Sequence, residues 1–194
     1  MIDSYFRTYY QTKILDPLLT NRLINQASPH FFTFLASISG LFIPIFLFFH
    51  LQYIAFIFLL FSGFLDTLDG SLSRHQNKSS PKGAVFDIVS DRFVEFCIFL
   101  GLYLYNPMRG LPIIVMFGAV FLCITSFLVV GIFHKNESKK SFYYSPGLVE
   151  RTEAFIFFSL MILLPNFFSP LAYLFSLLVV LTVVIRIYQF TKHV

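Results

Sequence analysis

Long apolar stretches separated by short polar ones make up most of this chain. They cover approximately residues 30–49, 51–70, 83–104, 111–133, 148–164 and 170–190. Each approaches the roughly 20 residues that a helix needs to cross the hydrocarbon core of a bilayer. The pattern therefore predicts an all-α, polytopic integral membrane protein with six transmembrane helices.

The first 27 residues follow a different pattern, in which charged and apolar side chains alternate without a run of spanning length. Pro17 interrupts this stretch, and proline breaks or kinks a helix. Such a mixture is typical of an amphipathic helix that lies in the membrane interface, although a soluble helical tail is the alternative. We expect one single domain over 1–194, with an interfacial helix over 1–27 and a six-helix bundle over 28–194.

Composition supports the membrane interpretation. The 194 residues are 57% hydrophobic and only 12% charged, whereas about 25% of the residues of a soluble globular protein are charged. The two cysteines, Cys97 and Cys123, lie in apolar stretches and have neither the spacing of a metal site nor that of a disulfide framework. The formal net charge of +4 is a weak signal, and we expect no nucleic-acid partner.

The basic residues are distributed unevenly between the two predicted sides. Six segments place both termini on one side, together with nearly all Lys and Arg residues, and only Arg109 falls on the other. Cytoplasmic loops carry the excess of Lys and Arg in membrane proteins. Both termini and the loops at 71–82 and 134–147 are therefore predicted to be cytoplasmic.

Acidic residues are concentrated in the stretch from residue 66 to residue 91, which has strongly apolar flanks. Asp66 and Asp69 are three residues apart, and Asp87 and Asp91 are four apart, so each pair lies on one face of a helix. If the segment between them is a turn, the two helices are antiparallel neighbours and the pairs can face each other. Carboxylates beside membrane-spanning segments are costly and usually mark function.

This combination of residues favours a metal and phosphate site. Converging carboxylates repel each other in a low dielectric, and a divalent cation relieves the repulsion; oxygen ligands suit Mg²⁺ or Mn²⁺. Gly70 and Gly83 lack a Cβ, so a phosphate or nucleotide can approach the backbone closely. The guanidinium of Arg74 matches phosphate oxygens. A solvated helix face is the alternative for either aspartate pair taken alone.

The same stretch resembles the motif D-x-x-D-G-x-x-A-R-x8-G-x-x-x-D-x-x-x-D of the CDP-alcohol phosphotransferases. This family includes the synthases of phosphatidylglycerol phosphate, phosphatidylinositol phosphate and phosphatidylserine. The matching positions are Asp66, Asp69, Gly70, Ser73, Arg74, Gly83, Asp87 and Asp91. Only Ser73 departs, where the family usually has the similarly small Ala. The motif covers 26 residues, and the helix layout extends the resemblance over most of the chain.

The resemblance implies a transfer reaction of phospholipid biosynthesis. An acceptor hydroxyl attacks the β-phosphorus of a CDP-linked lipid such as CDP-diacylglycerol, and CMP leaves. It implies Mg²⁺ or Mn²⁺, bound as two ions, with Asp66, Asp69, Asp87 and Asp91 as ligands. The counterpart of Asp91 in the family is the proposed general base on the acceptor hydroxyl.

Other residues have expected roles at the two ends of the substrate site. By the same resemblance, Gly70, Arg74 and Gly83 hold the nucleotide end, and Ser80 matches a hydroxyl that touches the nucleotide in some relatives. A plain loop serine is the alternative for Ser80. Candidates for binding a phosphate on the acceptor are Lys135, Lys139, Arg151 and Arg186. Charges that only set the topology near lipid headgroups are the alternative for these four.

Two polar residues near the motif have competing explanations. His30 stands where relatives have Asn near the nucleotide, and an interfacial histidine is the commoner explanation. Glu95 continues the stripe of Asp87 and Asp91 by one further turn. We expect Glu95 to support the site rather than to bind metal, or simply to pair with a basic neighbour.

The resemblance also implies the protein's partners and location. These are a CDP-linked lipid, a small alcohol acceptor, membrane lipids and a second copy of the chain in a homodimer. Gly101, Gly118 and Ala119 are small residues that could pack closely in such a dimer. We expect an integral protein of the bacterial inner (cytoplasmic) membrane, with the active site facing the cytoplasm.

Two functions of other classes are alternatives. A small transporter or cation channel could use the aspartates as an ion site, but the carboxylates lie at one membrane face, whereas conduction favours polar groups at mid-depth. A non-catalytic relative of the family is the second alternative. Degenerate members usually lose a metal ligand, and all four aspartates are present here.

The predicted topology can be tested at the loop between the aspartate pairs. A Lys78→Cys variant should escape a membrane-impermeant maleimide in intact cells, because the 71–82 loop is predicted to be cytoplasmic. The same variant should react once the membrane is permeabilised, and the parent protein serves as the control for Cys97 and Cys123. Labelling of position 78 from outside would overturn both the orientation and the side of the active site.

Overall fold

The computed structural model describes residues 11–133 and 147–193. All regular structure in these ranges is helical, and they contain no strand, which confirms the predicted all-α class. Residues 1–10 of the predicted interfacial helix and the candidate residues Lys135 and Lys139 lie outside the described ranges.

The described residues fall into two compact units, one ending at Tyr105 and one beginning at Asn106. The first contains a π-helical turn, Gln11–Leu15, and helices α1 (Asp16–Leu19), α2 (Arg22–Gln26), α3 (Pro29–Phe48), α4 (Gln52–His75) and α5 (Pro81–Tyr105). The second contains α6 (Gly110–Phe133), α7 (Arg151–Leu163), α8 (Phe168–His193) and short 3-10 turns at Pro107–Arg109 and Pro165–Phe167.

Four helical stretches within the described ranges are long and apolar enough to cross a membrane, which suggests an integral membrane protein. They are Pro29–Phe48, Gln52–His75, Pro107–Phe133 and Pro165–Lys192. Helix α5 falls outside this group and carries four charged residues between positions 87 and 95. Helix α7 has only 13 residues, or about 20 Å at 1.5 Å per residue. The two further predicted spans therefore stay a prediction.

Helix α3 packs against both α4 and α5, and two glycines make the contact with α5 close. A Cβ added at Gly40 would lie 2.8 Å from Val94 Cγ2, and one added at Gly101 would lie 2.9 Å from Pro44 Cα. Real Cβ atoms do not approach their neighbours so closely. Gly101 therefore serves packing within the chain rather than the subunit contact suggested by the sequence, and the homodimer itself stays a prediction.

Arg109, which the sequence placed alone on the far side, is only 7% exposed. Its Nη2 donates a hydrogen bond to the carbonyl oxygen of Pro165 at 2.7 Å, and the guanidinium lies 4.4 Å from the ring centroid of Phe168. These contacts join the turn before α6 to the turn before α8, both in the second unit. Arg109 is a structural residue whose charge is held by a carbonyl and an aromatic face.

The close approach of α3 and α5 predicts that Gly101→Ala destabilises the protein. The added methyl meets backbone that cannot rotate away, and such overpacking typically costs about 1–3 kcal/mol. The matched control is Gly118→Ala in α6, since no atom lies within 4 Å of the position of its added Cβ. Thermal unfolding in detergent should show a lower midpoint for Gly101→Ala than for the parent protein. The midpoint of the control should not fall. Equal midpoints would contradict the packing argument.

Candidate active site

Helices α4 and α5 bring three carboxylates together. Asp66 and Asp69 lie on α4 with 7% and 4% of their surface exposed, and Asp87 lies half-buried on α5. One potential ligand oxygen from each carboxylate can be chosen so that all three lie within 4.8 Å of one another. This group can hold a metal ion, because carboxylate oxygens at such spacing can share one divalent cation.

Asp91 follows Asp87 on α5 after one helical turn and is half-buried. Among the described residues, the tight group consists of Asp66, Asp69 and Asp87, without Asp91. Asp91 thus shares a helix face with a member of the group while lying outside the group itself. Asp91 can therefore have a role other than holding a metal ion together with the three clustered carboxylates.

The end of α4 is set by Asn77, which has a φ of 54°. The Lys78 N–H donates to the Ser73 carbonyl at 3.0 Å, and the Asn77 N–H donates to the Arg74 carbonyl at 3.1 Å. These two bonds form a Schellman motif, which closes a helix with a residue in the left-handed region. Asn occupies this region more readily than most residues. The helix therefore extends through Arg74 and then turns towards α5.

Ser80 and Pro81 start helix α5. The Gly83 N–H donates to Ser80 Oγ at 3.2 Å, as in an N-cap, and Pro81 occupies the first helical position, where its missing N–H is not needed. The sequence predicts either a nucleotide contact or a plain loop serine at Ser80, and neither prediction includes this capping role. The adjacent Ser-Pro pair was the signal that could have revealed it.

Packing does not require glycine at positions 70 and 83. A Cβ added at Gly70 would lie 3.5 Å from Arg74 Nη1, and one added at Gly83 would lie 3.4 Å from both His30 Cε1 and Ser80 Oγ. These are ordinary or slightly tight contacts with movable side chains, unlike the backbone approach at Gly101. The missing side chains instead leave the backbone accessible to another molecule.

Two polar side chains border these glycines. Arg74 is exposed, and its Nη2 donates to the hydroxyl of buried Ser71 at 3.1 Å. His30 lies beside Gly83 and contacts the Phe86 ring edge to face, with ring centroids 6.0 Å apart. The sequence reasoning favoured an interfacial histidine at position 30. The structure places this imidazole next to the motif's second glycine.

The N-terminal segment supports the aspartate-bearing helix. Leu15 and Leu19 are buried with Leu68 and Leu72 of α4 in one apolar cluster. Gln76, just after α4, donates from Nε2 to the carbonyl oxygens of Asn25 and Ala27 at 2.7 and 3.0 Å. The sequence indicated an amphipathic segment here but not what it contacts, because nothing in its pattern identifies α4 as the partner.

Glu95 forms an ion pair with Arg92 on the same helix, with Oε2 2.6 Å from Nη1. One of the two expectations for Glu95, a pair with a basic neighbour, is therefore confirmed. The Arg92 side chain is partly exposed, so solvent weakens the pair.

The described acceptor candidates belong to the second unit. Arg151 is exposed and is the first residue of α7, inside a capping box in which the Glu150 N–H donates to Glu153 Oε2 at 3.1 Å. Arg186 is 6% exposed on α8. Its Nη1 donates to the Cys123 carbonyl at 2.9 Å and to Ser126 Oγ at 2.8 Å. Both of these acceptors on α6 are neutral.

Comparisons with known proteins agree with the motif. A family model for CDP-alcohol phosphatidyltransferase matches residues 26–188. A protein of Archaeoglobus fulgidus described as "Bifunctional IPC transferase and DIPP synthase" is 32% identical over 106 residues, which are 54% of this chain and 21% of that protein. The chain thus matches about a fifth of that relative's length.

A second relative matches over a longer range. An uncharacterized protein of Aquifex aeolicus is 28% identical over 160 residues, which are 80% of this chain and 78% of that protein. The family model extends from the end of α2 into α8 and includes the three clustered carboxylates. The chain belongs to the CDP-alcohol phosphatidyltransferase family.

Proposed function

We propose that this protein transfers a substituted phosphate (phosphatidyl) group from a CDP-alcohol such as CDP-diacylglycerol to an acceptor alcohol, releasing CMP, in phospholipid biosynthesis. The observation that carries the proposal is the approach of ligand oxygens of Asp66, Asp69 and Asp87 to within 4.8 Å. Family membership favours the transferase over a transporter. The complete set of four motif aspartates favours an active enzyme over a non-catalytic relative.

The donor set fits Mg²⁺ or Mn²⁺. It consists of carboxylate oxygens, which these hard cations prefer, and three carboxylates at this spacing are mutually repulsive without a cation. Asp66, Asp69 and Asp87 would hold the metal, with Asp91 contributing to a site for two ions. When bound, the ions would neutralise the pyrophosphate of the CDP-alcohol and the charge on departing CMP.

The residues around the motif glycines bind the nucleotide end in this proposal. Gly70 and Gly83 leave room for the nucleotide next to the backbone, and the guanidinium of Arg74 binds phosphate oxygens. Ser80 accepts the cap hydrogen bond from Gly83, and its own O–H can donate to the nucleotide.

Asp91 takes the proton in the proposed reaction. The acceptor oxygen attacks the β-phosphorus, the bond from this phosphorus to the CMP oxygen breaks, and the hydroxyl proton passes to the Asp91 carboxylate. Its position on the face of Asp87, outside the tight group of three, supports this role. Phosphoryl transfer depends mainly on positioning and charge stabilisation, so a single base is enough beside the metal site.

The acceptor is proposed to carry a phosphate, as glycerol 3-phosphate and inositol phosphate do. Arg151 and Lys135 would bind this phosphate. Buried Arg186 supports the idea, since its hydrogen-bond acceptors among the described residues are neutral and a buried charge is costly without an opposite charge. An anionic acceptor would supply that charge.

The proposed enzyme is a homodimer of single-domain chains in a bacterial inner membrane. Helices α5 and α7 complete six spans, and residues 1–27 lie in the interface. The basic bias of the termini and polar loops supports a cytoplasmic active site, where water-soluble CTP-derived precursors and Mg²⁺ are found.

We predict that Gly70→Ala folds normally but binds CDP-diacylglycerol more weakly. The added methyl has room within the chain and would occupy space meant for the nucleotide. A methyl group in a fitted pocket is typically worth about 1–3 kcal/mol, or roughly 10- to 200-fold in affinity. Calorimetric titration measures the affinity, and Gly118→Ala is the control. Unchanged affinity for Gly70→Ala would remove Gly70 from the nucleotide site.

We predict different defects for two aspartate variants. Asp91→Asn should still bind CDP-diacylglycerol in the presence of Mg²⁺ but release CMP about 10²- to 10⁴-fold more slowly, the usual effect of losing a general base. Asp66→Asn should instead weaken metal-dependent binding. Calorimetry and CMP release are measured for both variants with the same purified preparations.

The outcomes separate the roles of these two residues. A normal rate of CMP release from Asp91→Asn would show that another group takes the proton. Loss of binding as complete as that of Asp66→Asn would show that Asp91 acts as a metal ligand and not as the base. Wild-type protein that releases no CMP from CDP-diacylglycerol with any of several acceptor alcohols would contradict the proposed reaction.

A further inference from the structure

Thr182 of α8 anchors the segment that precedes α7. Its Oγ1 accepts hydrogen bonds from the backbone N–H groups of Leu148 and Val149 at 3.1 and 3.2 Å. The same hydroxyl donates to the Leu178 carbonyl at 3.0 Å, and the residue is 1% exposed. One buried hydroxyl thus makes three hydrogen bonds, two of them to backbone more than 30 residues away in sequence.

Gly147 fits tightly against the same side chain. A Cβ added at Gly147 would collide with Thr182 Cγ2, so the segment lies as close to α8 as a residue without a side chain permits. The methyl and the hydroxyl of Thr182 therefore act together. The methyl sets how closely the segment approaches, and the hydroxyl sets which two amides face α8.

This anchor is continuous with the start of α7. Glu150 follows the two anchored amides directly, and its capping box with Glu153 fixes the first helical turn. Arg151 is the first residue of that turn. The backbone that carries the Arg151 side chain is thus held on one side by Thr182 and on the other by the capping box.

Thr182 also lies on the same helix as a second arginine, Arg186. Arg186 lies four residues after Thr182 on α8, and residues at this spacing share a helix face. Arg186 is fixed in turn to α6 through Cys123 and Ser126. The position of Arg151 relative to the buried guanidinium therefore depends on where Thr182 holds the segment.

We propose that Thr182 is a positioning residue for the acceptor, which acts by holding Arg151 where it binds the acceptor's phosphate. This inference rests on the proposed function, in which Arg151 has that role. Thr182 itself touches neither substrate. Its contribution should therefore appear in the KM for a phosphorylated acceptor and not in the KM for the CDP-lipid.

The test uses full-length protein in detergent micelles with CDP-diacylglycerol and either glycerol 3-phosphate or inositol phosphate, whichever yields CMP. Thr182→Val keeps the shape but removes the hydroxyl, and should raise the acceptor KM about tenfold, the size typical of a lost buried hydrogen bond. The KM for CDP-diacylglycerol should stay unchanged, and kcat should change less than the acceptor KM. Thr182→Ser restores the hydroxyl and should recover most of the loss.

Ser176→Ala is the matched control on the same helix. Ser176 is also buried, but its hydroxyl donates only within α8, to the Ala172 carbonyl at 2.8 Å. It should leave both KM values unchanged. If it raises the acceptor KM as much as Thr182→Val does, general loosening of α8 explains the effect and the inference is wrong.

A double-mutant cycle with Arg151→Ala decides whether Thr182 acts through Arg151. The effects on the acceptor KM should be strongly non-additive, because removing Arg151 removes what Thr182 positions. Additive effects would overturn the inference while leaving Arg151 in its proposed role. If Arg151→Ala leaves the acceptor KM unchanged, both the acceptor role of Arg151 and the inference fail. If wild-type protein releases CMP with another alcohol but with neither phosphorylated acceptor, the inference fails and the proposed reaction stands. No CMP release with any acceptor alcohol would instead refute the proposed reaction.

Gly147→Ala provides a second variant if Thr182→Val does not fold. It keeps the hydroxyl but pushes the segment away from α8, and should also raise the acceptor KM without changing the KM for CDP-diacylglycerol. A normal acceptor KM in folded Gly147→Ala would count against the anchor as the device that places Arg151.

Discussion

The convergence of three carboxylates is the constraint on which the rest of this structure depends. Asp66, Asp69 and Asp87 repel each other, yet α4 and α5 hold their ligand oxygens within 4.8 Å. Helix α3 packs extensively against both of these helices, and its contact with α5 is close because Gly101 has no side chain. The packing of α3 on both helices therefore holds α4 and α5 together against this repulsion.

The glycines of this chain illustrate two opposite uses of a missing side chain. At Gly101 the space is filled by the backbone of Pro44, whereas at Gly70 the nearest atoms belong to the movable guanidinium of Arg74. The first arrangement stabilises helix packing, and the second leaves room for a ligand. The motif singled out Gly70 for the ligand, but the sequence suggested a subunit contact for Gly101, because the packing partner of a glycine within a helix leaves no local signal.

The sequence predicted the helices that are determined by features of their own segment. The segment expected near 30–49 is α3 at Pro29–Phe48, since apolar run length and Pro29 determine it. Motif spacing likewise indicated that the aspartate pairs could face each other. The fifth segment was expected from 148, but α7 begins at Arg151 because Thr182 takes the amides of the preceding residues. These hydrogen bonds join residues that are 33 and 34 positions apart in the sequence, so they leave no local signal.

Helix ends, more than helix interiors, determine where the charged groups lie. An apolar helix packed on another apolar helix gains similar burial over several registers, so dispersion and burial alone specify its axial position weakly. Directional hydrogen bonds remove this freedom. Asn77 closes α4 just beyond Arg74, Ser80 opens α5 ahead of Asp87, and Thr182 fixes the segment before Arg151. In each case a polar anchor fixes the end of the helix that carries a charged residue of the proposed site.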